Sequence, residues 1–148
     1  EGELFFETFS SERANFGFPS IVCVAKKEGG RGGEEVVVGM ANSKPHEAGM
    51  KCFRKTSEIS IFVSKEFQRR GIGKKMMKEL EKRLKEERGI EEILASVSST
   101  NDKSIQFFQH KSQGFEIVGR FKRIGRAKSP ICGGDEIVFD VIWFQKTI

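Results

Sequence analysis

Tyrosine is absent from all 148 residues, so whatever chemistry the chain performs uses no phenol. Cysteine is scarce. Cys23, Cys52 and Cys132 are far apart, odd in number and outside metal-ligand spacing, which argues against a disulfide framework or zinc site and for a reducing compartment. His46 and His110 each stand alone, so no histidine ligand set forms, no metal is expected, and both read as plain polar residues. There is no apolar run of membrane-spanning length and no signal-peptide pattern, so the expected location is cytoplasmic, with no membrane partner. Repeats are lacking, and a single domain spanning 1–148 is expected. The chain opens on Glu1 rather than Met, as expected of a processed product or an excised segment.

What is present is ordinary for a soluble globular protein, with 37% hydrophobic and 32% charged residues. The charge is concentrated. From Lys65 to Arg88 ten Lys or Arg face five Glu, a balance of +5, and from Arg120 to Lys128 there are five bases and no acid. The remainder therefore sums to −5, which with the two patches gives the net +5. A nucleic-acid partner is disfavoured, because the aromatic residues are phenylalanines within apolar strands rather than interleaved with the basic patches. In the first patch, Glu79 to Arg83 and Glu81 to Lys85 have the spacing of ion pairs on a solvated helix face.

Residues 1–19, with Leu4, Phe5, Phe6 and Phe9, read as the tail of an amphipathic helix and a loop ending at Pro19. Strands are expected over 20–27 and 35–41, separated by the glycine-rich turn 28–34. Residues 42–55 read as an excursion. A strand follows over 58–63, where Ile59, Ile61 and Val63 alternate with Ser60, Phe62 and Ser64. Ile72, Met76, Met77, Leu80 and Leu84 recur at helical spacing, and Arg88-Gly89 supplies the stop. A short strand over 93–97 and a helix from Asp102 to about Lys111 come next. A strand from Gly114 through Phe121, a basic connection over 122–134, and a closing strand over 136–146 complete the order.

The chain is organised around residues 58–73, in which the strand leads through Gln68-Arg69-Arg70-Gly71-Ile72-Gly73-Lys74 into the long helix. A helix start leaves up to four amides without internal partners and carries partial positive charge, so it accepts phosphate. Gly71 and Gly73 lack a β-carbon and permit close approach, while Arg69, Arg70 and Lys74 add charge. On their own, two glycines near a helix start more often mark ordinary turn chemistry than a phosphate site. Neither the nucleotide P-loop nor the dinucleotide fingerprint is present.

The remaining pattern, Gln-x-x-Gly-x-Gly after a strand, resembles the acyl-CoA pyrophosphate loop of the GNAT N-acetyltransferases. Further stretches resemble the phosphinothricin-acetyltransferase-like branch: Glu58 followed by Ser-Ile-Phe-Val, Ser98-Ser99-Thr100-Asn101 with Ser104, Gly114-Phe115 then Val118-Gly119, Ile124-Gly125, and Phe139 to Gln145. The resemblance implies an α/β (α+β) fold. Its sheet is mixed, mostly antiparallel and twisted, with a central crossover helix, and that fold's first strand and first helix are missing ahead of Glu1. It also implies acetyl-CoA as co-substrate and a small-molecule amine as acceptor, and it allows a homodimer. An acceptor on a protein or peptide, or a CoA-binding module without turnover, remains open.

By the same resemblance Glu58 corresponds to the family's base, which takes the amine's proton through water; a surface glutamate at a strand end is its plainer reading. The amides along Ile61, Phe62 and Val63 would hold the pantetheine arm and polarise the thioester carbonyl. Gln68, Arg69, Arg70, Gly71, Ile72, Gly73 and Lys74 would take the pyrophosphate. Asn101 reads evenly as a pantetheine contact or a helix N-cap, with Ser104 a weaker contact. Where many relatives place a tyrosine as acid to the thiolate, this chain has Phe107 or Phe108. Thiolate release then rests on water, on the ammonium, or on His110. Asp140 and Trp143 read as structural positions of the closing strand.

Overall fold

The computed structural model describes residues 4–10, 17–26, 35–128 and 135–148. The chain divides into two compact units, Glu1–Ile93 with Ile148, and Leu94–Thr147. Helices and strands mix in both and the pairing is mostly antiparallel, the α+β class expected from the sequence. No helix among the described residues is long and apolar enough to cross a membrane.

In the first unit, strands β1 (Leu4–Ser10), β2 (Pro19–Lys26), β3 (Glu35–Pro45) and β4 (Thr56–Val63) lie side by side in that order, each antiparallel to the next. Cross-strand partners share a face. The register therefore groups Cys23, Gly39 and Val63, then Ile21, Ala41 and Ile61, with Ser43 and Ile59, on one side of the sheet. Helix α1 (Ile72–Arg88) packs on β2, β3 and β4 from that side, where a β-carbon on Gly39 would stand 2.9 Å from the Met76 methyl. The five apolar residues that defined the helical period are all buried, and burying each stabilises the unit by about 2 kcal/mol. Gly89 ends the helix in the left-handed conformation (φ 61°), and the Ile90 amide bonds back to Leu84 while its side chain is buried. The opposite face of the sheet carries Met40, Asn42 and Lys44 of β3 beside Phe62, Ser60 and Glu58 of β4.

Two boundaries differ from expectation. Residues 4–10 form a strand rather than a helix tail: Phe5 and Phe6 stand at helical spacing from Phe9, but the whole segment pairs with β2, and Phe and Thr favour strands. A strand is therefore present ahead of β2, and Pro19, read as the end of a loop, begins β2. Likewise β3 continues to Pro45 where an excursion from Asn42 was expected. Polar residues mask that extension. Ser43 is nonetheless buried, and its hydroxyl donates to the Pro19 carbonyl at 2.6 Å, which removes the cost of burying it. The turn over 28–34 and Cys132 lie outside the described residues.

The second unit contains most of β5 (Glu92–Ser98), with α2 (Asp102–Gln109), β6 (Glu116–Lys128) and β7 (Glu136–Thr147) in the lateral order β5, β7, β6. Ala95, Val97, Phe108, Phe115, Ile142 and Phe144 are its buried apolar side chains. The stretch from Lys122, read as a connection, remains strand to Lys128. A bulge conceals it: Phe121 pairs with Val141 and Gly125 with Phe139, so residues 122–124 break the period-2 pattern opposite Asp140. Asp140 holds the bulge, accepting from the Arg123 amide at 2.8 Å and from Arg120 Nε at 2.7 Å, with Arg123 at φ 58°. Those two hydrogen bonds hold its carboxyl below the usual aspartate range.

Gly125 is required by close approach. A β-carbon there would fall 2.0 Å from the Phe139 ring, whereas one on Gly119 of the same strand would meet nothing within 4 Å. Gly125→Ala is expected to destabilise by about 1–3 kcal/mol as the ring is displaced, lowering the melting temperature by several degrees. Gly119→Ala should leave it nearly unchanged. Equal melting temperatures for the two variants would contradict this packing.

Candidate active site

The phase of the β3–β4 ladder decides which β4 amides are spent on β3. His46 N donates to Thr56 O at 3.2 Å, and Ser64 N donates to Val38 O at 2.8 Å. In an antiparallel pair, exchanging residues alternate. Between those two fixed points Glu58, Ser60 and Phe62 exchange with Lys44, Asn42 and Met40. The amides of Ile61 and Val63 accordingly point away from β3, while that of Phe62 is spent on Met40. Of the three amides singled out in the sequence, Phe62 is thus a poor candidate to bind anything through its N–H, and its ring is 60% exposed.

Glu58 lies on the sheet face opposite α1, with only 20% of its side chain exposed. Its Oε1 stands 2.7 Å from His46 Nδ1 and its Oε2 stands 2.9 Å from Lys44 Nζ. Burial pushes the carboxyl up, but the hydrogen bonds and charges of Lys44 and His46 outweigh it and hold the pKa below the usual glutamate value. Glu58 is therefore ionised at neutral pH and able to accept a proton. Neither partner was assigned chemistry from the sequence, and His46, read there as a plain polar residue, is half-buried against this carboxylate. The signal was the parity of Lys44 and Glu58, which is legible only once β3 is known to reach Pro45.

The connection from β4 to α1 is fixed by short-range chemistry. After the turn Lys65–Phe67, Gln68 Nε2 donates to the Val63 carbonyl at 3.0 Å, tying the loop to the strand it leaves. Arg70 lies 5.1 Å from the Phe67 ring centroid, and Arg69 adopts a left-handed φ of 62° that costs about 1–2 kcal/mol outside glycine. Gly71 precedes the helix at φ 77°, and a β-carbon on it would meet nothing within 4 Å. The first intrahelical bond runs from Lys75 N to Gly71 O, so the amides of Ile72, Gly73 and Lys74 have no acceptor within the helix. No side chain caps this end and its first turn holds no acidic residue. Arg69, Arg70 and Lys74 are exposed around it. An uncapped, acid-free helix start ringed by three cations suits a multiply charged anion.

The residues singled out in the second unit are engaged locally. Asn101 caps α2, its side-chain oxygen accepting from Ser104 N at 3.1 Å, so the N-cap role is realised. Phe108 is 5% exposed, stacked on Phe144 at 5.4 Å and edge-on to Phe115 at 5.0 Å. Its burial in that cluster makes it a core residue, and Phe107 is the one that stays half exposed. His110 follows the C-terminal end of the helix, its Nδ1 2.8 Å from Ser112 Oγ. Across eight helical residues it stands on the order of 12 Å from the end that Asn101 caps.

Residues 3–115 match the model of the acetyltransferase (GNAT) family. No curated protein matches the chain. Among solved structures it is similar to a ribosomal-protein-alanine N-acetyltransferase from Brucella melitensis, with 30% identity and a TM-score of 0.67 over 90% of this chain and 70% of that one. A phosphinothricin acetyltransferase from Sinorhizobium meliloti in complex with AcCoA is 26% identical, with a TM-score of 0.67 over 89% of this chain and 62% of that one. A putative acetyltransferase from Acinetobacter baylyi is 26% identical, with a TM-score of 0.70 over 93% and 66% of the two chains. The chain thus spans 62–70% of the length of these structures.

Proposed function

The chain belongs to the GNAT acetyltransferase family, and on that premise we propose that it transfers the acetyl group of acetyl-CoA to a primary amine of a small molecule, an amino acid or amino-acid analogue. The observation that carries this reading is the start of α1, whose three amides lack helical acceptors and which has no cap, no acid and three flanking cations. A diphosphate fits such a donor set, and CoA carries one. Acetyl-CoA supplies an acetyl group activated as a thioester.

The chain's own residues then have separable tasks. The amides of Ile72, Gly73 and Lys74 bind phosphate oxygens and Gly71 leaves them approachable, while Arg69, Arg70 and Lys74 neutralise charge. The amides of Ile61 and Val63, which β3 does not use, would serve a carbonyl oxygen, which is where negative charge gathers as an amine attacks. Glu58 draws off the amine's proton through a water, since an ammonium has no lone pair with which to attack. With no tyrosine in the chain, the departing thiolate takes its proton from water or from the nitrogen.

A small acceptor is favoured by the likeness to the phosphinothricin acetyltransferase. The likeness to the ribosomal-protein-alanine enzyme supports a second reading, in which the acceptor is the amine of a protein. Release of free thiol from acetyl-CoA over a panel of amino acids and of peptides with alanine at the N-terminus separates them. Turnover with the free amino acids supports the first reading, and turnover with the peptides alone supports the second. Acetyl-CoA binding without thiol release from any amine would overturn both.

A further inference from the structure

A carboxylate oxygen and an imidazole nitrogen 2.7 Å apart cannot both present lone pairs, so one hydrogen lies between Glu58 Oε1 and His46 Nδ1. The other carboxylate oxygen is occupied by the Lys44 ammonium at 2.9 Å. With the shared hydrogen on Nδ1, each carboxylate oxygen keeps a further lone pair through which Glu58 can meet the water, while His46 Nε2 is the more basic atom of the pair, since an imidazole is a stronger base than a carboxylate. The ring is also held in place. Its backbone amide bonds to Thr56 O at 3.2 Å, the Phe53 ring packs edge-on at 5.1 Å, and only 21% of the side chain is exposed. Among the described residues, Lys44 of β3 is the charged side chain paired with Glu58 beside His46, while the turn Lys51–Phe53 places the uncharged Phe53 against the imidazole.

We propose that His46 is the positioning and proton-storing partner of Glu58, so that the proton withdrawn from the acceptor amine comes to rest on His46 Nε2 while Nδ1–H still donates to the carboxylate. This rests on the amine-acetylation reading. The ammonium gives one proton through water to the pair, which passes from one negative charge to none. The freed lone pair forms the C–N bond and the C–S bond breaks. The second proton shed by the nitrogen ends on the thiolate, and the first leaves His46 for solvent. Geometrically this is a carboxylate-oriented imidazole, with Glu58 on β4 and His46 in the turn that directly follows β3.

Two measurements test it. In 15N NMR of the intact protein, the neutral His46 ring should carry its hydrogen on Nδ1 in the wild type, held there by the carboxylate, and should lose that preference in Glu58→Ala. In turnover, His46→Gln keeps a donor for Glu58 yet cannot store the proton. Its kcat is expected to fall 10- to 100-fold with acetyl-CoA affinity unchanged, and the acid limb of its pH profile to move to lower pH, since a carboxylate is a weaker base than an imidazole. A His46 tautomer indifferent to Glu58→Ala overturns the pairing. A kcat within about twofold of wild type and an unmoved acid limb overturn the role alone. No thiol release with any amine would overturn the acetylation reading, and the role with it, even where the NMR pairing stands.

Discussion

Replacing Gly71 by valine is expected to weaken acetyl-CoA binding by 30- to 100-fold, while the same replacement at Gly89 leaves binding within about twofold of wild type. The two glycines form a matched pair. They stand at opposite ends of α1 with φ of 77° and 61°, and a β-carbon on either would meet no atom within 4 Å. Both variants therefore carry a comparable strain of about 1–2 kcal/mol from a side chain in the left-handed region, lowering each melting temperature by several degrees. Only at Gly71 does the new side chain stand beside the unsatisfied amides of Ile72, Gly73 and Lys74. Displacing a phosphate there loses charge-assisted hydrogen bonds that contribute about 1.5–3 kcal/mol each. Isothermal calorimetry on the three proteins decides it. Wild-type affinity in Gly71→Val, or an equal loss in Gly89→Val, would remove α1 as the diphosphate site.

That helix and its approach were legible in the sequence because their determinants are local. Five apolar residues at helical spacing, a glycine at each end and three cations can be counted without knowing what the helix packs against. Glu58 was singled out by resemblance, as the acidic residue that opens the alternating strand. What surrounds Glu58 was not. Lys44 and His46 reach it only through the register of β3 on β4, and the cue that β3 extends to Pro45 is a buried serine satisfied by the Pro19 carbonyl, a contact across 24 residues. Nonlocal packing likewise separates Phe108 from Phe107, which the resemblance offered together as the place of a relative's tyrosine: the cluster with Phe115 and Phe144 takes Phe108 into the core. The β6 bulge escaped because three residues opposite one erase the alternation by which strands are recognised. Leu4–Ser10 was misread where strand pairing with β2 overrode a weak helical pattern.

Glu58→Gln should lower kcat by about 10²- to 10³-fold at neutral pH while acetyl-CoA affinity stays within about twofold, because the carboxylate acts on the amine's proton and lies on β4 rather than at the helix start. Gln is nearly isosteric and still presents an oxygen to His46 or Lys44, so the expected loss is one of charge and basicity rather than of packing. The pH dependence separates a base from a structural anion. Hydrogen bonds and charge from Lys44 and His46 hold the carboxyl below the usual glutamate range, so it is available as an acceptor throughout the neutral region. Above the pKa of the amine itself, commonly about 10 for a lysine-like amine, the acceptor is already deprotonated and a base has nothing left to remove. The ratio of wild-type to variant kcat should therefore shrink steadily as pH rises from 7 toward 10. A ratio independent of pH would instead mean that Glu58 holds the site together without handling a proton, and an undiminished rate at pH 7 would take the base away from β4 altogether.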